Sequence, residues 1–169
     1  EGSETRRKYI DTSISLYEKP YLQLLIHYNK TLKQRNHLLK RFSDNGYFDP
    51  LSLDIYNEQL IDSGGSIYKK SCEFIQELNP VFNKYYTQIS SSKENVNLKL
   101  KSQLEEKSLA ELLKESLVKD RASNYTQCGI HKDDIIFSMD DKAIKKIGSQ
   151  GQQKSFLIAL KLAQFEFIE

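Results

Sequence analysis

A short polar stretch near the carboxyl end contains the residue types that bind phosphate. Residues 148–155 read Gly-Ser-Gln-Gly-Gln-Gln-Lys-Ser and lie between a predicted strand and an apolar helix. The first turn of a helix attracts anions, because its backbone N–H groups are unpaired and the positive end of the helix dipole lies there. Gly151 allows an anion to approach the backbone closely, and the Ser149 hydroxyl either binds a phosphate oxygen or caps the helix. An ordinary capped helix start has the same pattern, so both interpretations stay open.

The elements around this stretch are predicted from a change in hydrophobic period. Apolar and polar residues alternate over 96–101, which predicts a strand with one buried face. A capping-box pattern predicts a short helix over 108–120. Apolar runs at 135–137 and 143–144 flank Asp140-Asp141 and predict a β-hairpin.

The final helix opens at Ser149 and is apolar on nearly all sides over 156–160, so we expect a large surface to bury it. The region 93–169 is too small to bury its own sheet and helix and is predicted to be part of a larger domain. A serine-rich linker at 90–92 joins it to a helical region, 1–92. The predicted fold class is therefore α+β, mostly α.

The helical region contains two amphipathic patterns. The first predicts a helix over 16–42 that ends in turn residues at 43–46. The second runs over 53–78, with Gly64-Gly65 as a possible break. Asn79-Pro80 predicts a stop and a restart, with proline in a first helical turn.

Positive charge is concentrated at the beginning of the chain, although the net charge is only +2. Residues 1–42 hold nine Lys/Arg against four Asp/Glu, whereas residues 43–95 hold four against eight. The basic segment either contacts nucleic-acid phosphates or forms a solvated helix face. Arg35 lies on the apolar stripe, so it also fits a buried ion pair. Arg6 and Arg7 lie close to Asp11 in the sequence, so they also fit ion pairs with that carboxylate. The DNA-binding candidates are Arg6, Arg7, Lys33, Arg35, Lys40 and Arg41.

Several other classes of protein are not indicated. No apolar stretch reaches the roughly 18 residues of a transmembrane helix, and no signal-peptide pattern opens the chain. Cys72 and Cys128 form no CxxC pair, so a disulfide scaffold is not predicted. The histidines His27, His37 and His131 lack metal-ligand spacing, so no metal site is predicted.

Four blocks, in the same order, resemble the RecF family of ABC-type ATPases, which are related to the SMC proteins. The blocks are Arg6-Arg7-Lys8-Tyr9-Ile10-Asp11, Leu32-Lys33-Gln34-Arg35-Asn36, Gly129-Ile130-His131-Lys132-Asp133-Asp134, and Ser149-Gln150-Gly151-Gln152-Gln153-Lys154 followed by Ala159-Leu160-Lys161-Leu162-Ala163. Together they span nearly the whole chain. Two positions depart from the family pattern: Ile130 replaces a proline, and Lys132 replaces an arginine and loses its bidentate fork.

The resemblance implies an ABC-type ATPase head with a short α-helical arm, the arm being 1–92 and the head portion 93–169. Two such subunits sandwich ATP, so the signature of one would contact the γ-phosphate held by the other. These signature residues are Ser149, Gln150, Gly151, Gln152, Gln153 and Lys154. The sequence contains no GxxxxGK[ST] loop and no later strand with acidic residues, the elements that bind ATP and Mg²⁺. The chain by itself is therefore not expected to be an enzyme, whereas the intact protein is expected to be a weak DNA-dependent ATPase.

Further expectations follow from the same resemblance. They are binding to gapped DNA and double-strand/single-strand junctions, action with RecO and RecR in loading RecA, an ATP-dependent homodimer, no membrane contact, and a bacterial cytoplasmic, nucleoid-associated location. The family block with Gly129, His131, Lys132, Asp133 and Asp134 has an undetermined role. Its acidic pair, Asp133-Asp134, fits a paired-acid turn, an arginine partner or a metal site. The chain begins at Glu1 and its last residues are still helical, which predicts a longer protein.

Two other functions remain to be distinguished. A helical interaction module would bind neither ATP nor DNA, but it has no need of Ser-Gln-Gly-Gln before a buried helix. An arm of another SMC-like ATPase would show long heptads, and the helices here are too short and too interrupted.

Overall fold

The computed structural model describes residues 2–90, 94–140, 142–143 and 149–168. Most of these residues are helical, and the strands form a small antiparallel sheet, so the predicted mostly-α fold with a β-hairpin is confirmed. None of the described helices is long and apolar enough to cross a membrane. The elements are α1 Ser3–Tyr17, α2 Lys19–Asn45, α3 Pro50–Ser90, β1 Val96–Lys101, α4 Leu109–Ser123, β2 Asp134–Met139, β3 Lys142–Ala143 and α5 Gln150–Ile168.

The chain divides into two compact units, each built from separated segments. The sheet unit contains Glu1–Tyr17, Ser71–Lys101 and Asp134–Glu169, and the helical unit contains Glu18–Lys70 and Ser102–Asp133. The arm predicted over 1–92 and the head portion predicted over 93–169 stay predictions.

In the sheet unit, the strands lie in the order β1-β2-β3 and all pair antiparallel. Leu98 lies opposite Phe137, and Ser138 lies opposite Ala143. The inward residues of β1, Val96 and Leu98, are buried and alternate with exposed ones, as the period of two predicts.

Two asparagines of α3 cover the free edge of β1. Asn79 Nδ2 donates to the Leu98 carbonyl at 3.0 Å, and its Oδ1 accepts the Leu98 N–H at 2.9 Å. Asn83, one turn later, makes the same pair of bonds to Val96, at 2.6 and 3.0 Å. A helical turn rises about as far as two strand residues, so the amides take the place of a missing strand. An edge paired in this way is not open to a foreign strand.

Helix α5 is held in the sheet unit by α1. Gln164 Nε2 donates to Ser13 Oγ at 2.8 Å, and Tyr9 Oη donates to the Leu160 carbonyl at 3.3 Å. One face of α5 is buried, through Phe156, Ala159, Leu160 and Ala163. The other face of α5 exposes four large apolar residues by 41–64%, so the expectation that a large surface buries this helix stays a prediction for that face. These residues are Leu157, Ile158, Leu162 and Phe165.

The first long helix of the helical unit begins later than predicted. The sequence pattern starts at residue 16, but α2 starts at Lys19, because Pro20 occupies its first turn and ends α1 at Tyr17. At the other end, Gly46 adopts φ 63°, and the N–H groups of Gly46 and Tyr47 bond to carbonyls of the last turn. The predicted turn residues therefore do terminate this helix, through a glycine cap.

Helix α3 runs without a break from Pro50 to Ser90. The predicted stop at Asn79-Pro80 is wrong: Pro80 lies inside the helix and removes one backbone hydrogen bond. The apolar face continues across it at four-residue steps, and the energy of burying that face outweighs the lost bond. Its buried residues there are Phe74, Leu78, Phe82 and Tyr86.

Close packing explains the glycine at 64. A Cβ there would lie 2.8 Å from Leu109 Cδ2 and 3.0 Å from Tyr28 Cε2, so a larger residue would require these side chains to shift. The predicted capping box of α4 is confirmed, since Ser108 Oγ accepts the Glu111 N–H and Glu111 accepts the Ser108 N–H. The helix continues to Ser123, a little past the predicted end.

Some predicted features lie outside the described residues. They are the linker residues Ser91 and Ser92, the hairpin residues Asp141 and Ile144, and Gly148 at the start of the polar stretch.

Candidate functional site

The polar stretch forms the exposed start of α5. Ser149 Oγ accepts the Gln152 N–H at 3.2 Å, and Gln152 Oε1 accepts the Ser149 N–H at 2.8 Å. This reciprocal pair is a capping box in which glutamine takes the usual glutamate position. The capped helix start, one of the two interpretations of the sequence, is therefore present.

The cap uses only part of the bonding capacity of this turn. Ser149 Oγ accepts a bond from Gln152, so its O–H remains a donor. The backbone N–H groups of Gln150 and Gly151 have no acceptor in the described part of the chain. A Cβ on Gly151 would meet nothing closer than Ser149 Oγ at 3.9 Å, so the described residues leave room beside this glycine. A capped start and an anion site are thus compatible, with exposed Lys154 adding positive charge.

Two of the blocks that resemble RecF meet in the sheet unit. Arg6 Nε and Nη2 donate to the two carboxylate oxygens of Asp134 at 2.9 and 2.8 Å. This bidentate pair joins α1 to the first residue of β2. Hydrogen bonding to Arg6 lowers the pKa of Asp134, against the raising effect of burial, and nearby Arg7 adds a smaller lowering effect. An arginine partner, one of the options for the acidic pair, is therefore the observed one for Asp134.

We expect Arg6→Gln to lower the free energy of unfolding by about 1–2 kcal/mol at neutral pH, because Asp134 loses a charged partner. The folded-state pKa of Asp134 is lowered, so this stability is present above the unfolded pKa of about 4 and is lost as pH falls through the folded value. Urea denaturation at a series of pH values measures it. The two proteins should converge in acid, and Lys8→Gln, an exposed change on the same helix, should match wild type throughout.

The second block lies in the core of the helical unit. Arg35 is fully buried, with Nη1 2.8 Å from Asp120 Oδ2 and 2.7 Å from Thr126 Oγ1, and with Nε 2.8 Å from Asn57 Oδ1. Asn36 Oδ1 accepts both the N–H and the hydroxyl of Thr126. Arg35 is therefore the buried ion-pair partner that its place on the apolar stripe allowed. Its guanidinium is not exposed to DNA phosphates in this structure.

The third block anchors its own loop in the helical unit. His131 Nε2 lies 3.0 Å from the Thr126 carbonyl, which can only accept, so this nitrogen carries a proton. In the neutral ring, Nδ1 then accepts the Tyr28 hydroxyl at 2.9 Å. Gly129 adopts φ 121°, and a Cβ there would lie 2.5 Å from Tyr28 Oη. Burial, followed by the charge on Cys128, raises the pKa of Tyr28. These contacts fix the position of the loop that contains Gly129 and His131.

The other residues of this block have separate surroundings. Lys132 Nζ lies 4.8 Å from the centre of the Tyr125 ring, a cation–π contact for which lysine serves in place of the usual arginine. Asp133 is buried beside Tyr28 and contributes to raising its pKa. Among residues 2–90, 94–140, 142–143 and 149–168, no group of three His, Cys, Asp or Glu side chains could hold a metal ion.

Comparison with known proteins gives one consistent result. No protein-family model matches the chain. The DNA replication and repair protein RecF of Flavobacterium johnsoniae is 56% identical over 169 residues, which cover 100% of this chain and 47% of that protein. RecF of Phocaeicola vulgatus is 45% identical over 168 residues, 99% of this chain and 44% of that protein. This chain belongs to the RecF family.

Solved RecF structures agree with the sequence comparison. A structure of the recombination mediator protein RecF with ATP, in the RecFOR pathway, matches with a TM-score of 0.92 and 32% identity over 100% of this chain and 47% of that one. The corresponding ATPγS structure matches with a TM-score of 0.90. The chain spans about half the length of the RecF proteins it matches. Sequence and fold therefore both match RecF along the whole of this chain.

The basic candidates of this RecF chain differ in exposure. Lys33, Lys40 and Arg41 are exposed, and because Lys40 and Arg41 follow Lys33 by seven and eight residues, about two helical turns, all three lie on one side of α2. Lys33 and Arg41 line a groove of about 520 Å³ together with His37 and Tyr56. Arg7 is half-buried near Asp134, and Arg6 is bonded to the Asp134 carboxylate. The groove residue His37 was not among the sequence candidates, although its spacing of four from Lys33 and Arg41 could have identified it.

Proposed function

We propose that this chain supplies the signature segment of a RecF-type, ATP-dependent DNA-binding repair protein. The observation that carries the proposal is the exposed start of α5, where the Ser149 hydroxyl remains a donor and the N–H groups of Gln150 and Gly151 have no acceptor among the described residues. A γ-phosphate held by a second subunit fits these donors. Gln152, Gln153 and Lys154 complete the segment that would contact it.

The donors suggest how nucleotide would control assembly. ATP presents a γ-phosphate to the signature of the facing subunit, and ADP does not. A ligand shifts an equilibrium only by its differential affinity for the two states, so ATP would favour the dimer and hydrolysis would release it. The intact protein would hold ATP and Mg²⁺ through residues other than those of this chain and would act as a weak DNA-dependent ATPase.

In this proposal, residues 1–92 serve mainly as an arm and residues 93–169 as part of the ATPase head. The protein would bind gapped DNA and double-strand/single-strand junctions in the bacterial cytoplasm, associated with the nucleoid. It would act with RecO and RecR in loading RecA. The RecFOR pathway named for the matching structures supports RecO and RecR as partners.

Sedimentation of the full-length protein tests the ATP step. We expect a dimer with ATP or ATPγS, and a monomer with ADP or without nucleotide. If the protein is a monomer under all these conditions, the proposal of an ATP-dependent dimer fails and a helical interaction module becomes the better-supported function. A dimer independent of nucleotide would lead to the same conclusion.

The exposed row on α2 leads to a prediction for DNA binding. Replacing Lys33, Lys40 and Arg41 together by alanine should weaken binding and reduce the slope of log K against log salt by about 1 for each lost phosphate contact. Titration of a gapped duplex at several salt concentrations measures this slope. The matched control removes the same charge at three other exposed lysines, Lys114, Lys119 and Lys161, and should keep the wild-type slope. Equal slopes for both triple variants would show that the row does not contact DNA.

A further inference from the structure

Gln152, in the signature segment, bonds to a carboxylate that lies outside this segment. Gln152 Nε2 donates to Glu94 Oε1 at 2.9 Å, and Glu94 lies just before β1, 58 residues away in the sequence. The same amide accepts the Ser149 N–H through Oε1. Gln152 is thus bonded on both sides, once within the capping box and once to Glu94.

The contact with Glu94 selects the orientation of the amide. An ionised carboxylate only accepts hydrogen bonds, so the Gln152 atom that faces it must be the NH₂ group. The carbonyl oxygen of Gln152 then faces the Ser149 N–H, as the capping box requires. With the amide reversed, two acceptors would face each other at Glu94 and two donors at Ser149.

Glu94 also accepts a hydrogen bond from Tyr86, a buried residue of α3. Tyr86 Oη lies 3.2 Å from Glu94 Oε2 and is fully buried. Burial, and then the negative charge of Glu94, raise the pKa of Tyr86, so it stays a protonated donor at neutral pH. The Tyr86 ring also packs edge-on against Phe156, in the second turn of α5.

We propose that Glu94 is a positioning residue for the signature segment. By setting the Gln152 amide, it holds the capping box in the form that leaves the Ser149 hydroxyl and the N–H groups of Gln150 and Gly151 directed at the phosphate. This inference rests on the proposed function of the segment. In this role Glu94 acts through Gln152.

The test uses full-length protein and two measurements. The first is the ATP concentration that gives half-maximal dimerisation, which Glu94→Ala should raise about tenfold, the effect of one charged hydrogen bond. Tyr86→Phe should shift it in the same direction by less, because the ring packing is kept. Glu77→Ala, an exposed carboxylate of α3, is the matched control and should leave the value unchanged.

A double-mutant cycle separates positioning from a general loss of stability. If Glu94 acts through Gln152, Glu94→Ala adds no further change once Gln152 is alanine. Additive effects of the two substitutions would overturn the proposal, and so would a wild-type ATP requirement in Glu94→Ala.

The second measurement does not depend on ATP. Hydrogen exchange of the peptide from Ser149 to Phe156, without nucleotide, should be about tenfold faster at the helix start in Glu94→Ala than in Glu77→Ala. Unchanged exchange would overturn the positioning role. If wild type fails to dimerise with ATP while exchange responds to Glu94, the proposed function fails and the positioning of Gln152 stands.

Discussion

Replacing Arg35 by alanine is expected to lower the free energy of unfolding by about 3–5 kcal/mol. Asp120 is fully buried, and its Oδ2 accepts a bond from Arg35 Nη1 at 2.8 Å. Without the guanidinium, a charge remains in the core, and its remaining donors among the described residues are neutral: Ser116 and the Gln127 N–H. Thr126 and Asn57 also lose bonds to Arg35.

Urea denaturation followed by the circular dichroism of the helices measures this loss. Lys33→Ala is the matched control: it removes a positive charge two residues earlier on α2, but from an exposed position, and should change stability by about 0.5 kcal/mol at most. Equal losses in the two variants would show that Arg35 acts only through net charge.

A double variant tests the cause of the loss. Arg35→Met with Asp120→Leu removes both charges and fills the space with apolar side chains, which is often neutral or stabilising for a buried pair. We therefore expect it to be more stable than Arg35→Ala. A double variant as unstable as the single one would mean that the hydrogen bonds to Thr126 and Asn57, rather than the uncompensated carboxylate, account for the loss.

Replacing Ser149 by arginine is expected to abolish ATP-dependent dimerisation of the full-length protein and to leave ATP binding to the monomer nearly intact. The substitution removes the hydroxyl donor and places a long side chain over the exposed N–H groups of Gln150 and Gly151. The space that the proposed γ-phosphate needs is then filled. Sedimentation with ATP and binding of a fluorescent ATP analogue measure the two properties separately.

Loss of the helix cap needs its own control, since a cap contributes about 1 kcal/mol. Ser108 provides it, because Ser108 and Glu111 form the same reciprocal cap on α4 as Ser149 and Gln152 form on α5. Ser108→Arg should lose similar stability and still dimerise with ATP. A Ser149→Arg protein that sediments as the wild-type dimer would contradict the phosphate role of this segment.

The sequence by itself determined the local features of this protein. The alternation over 96–101, the Ser108 cap and the start of α5 at Ser149 all appear in the structure, because a period or a cap depends on residues a few positions apart. Four short blocks were also enough to identify the family, since their order restricts the choice more than any one of them does.

Only the tertiary structure decided how these pieces are joined. Arg6 meets Asp134 across 128 residues, Arg35 meets Asp120 across 85, and Glu94 reaches Gln152 across 58. No local pattern specifies such partners, because each charged side chain has several possible ones and the packing of the backbone selects among them. The helix through Pro80 has the same origin: the local rule predicted a stop, but burial of the face from Phe74 to Tyr86 outweighs one missing hydrogen bond.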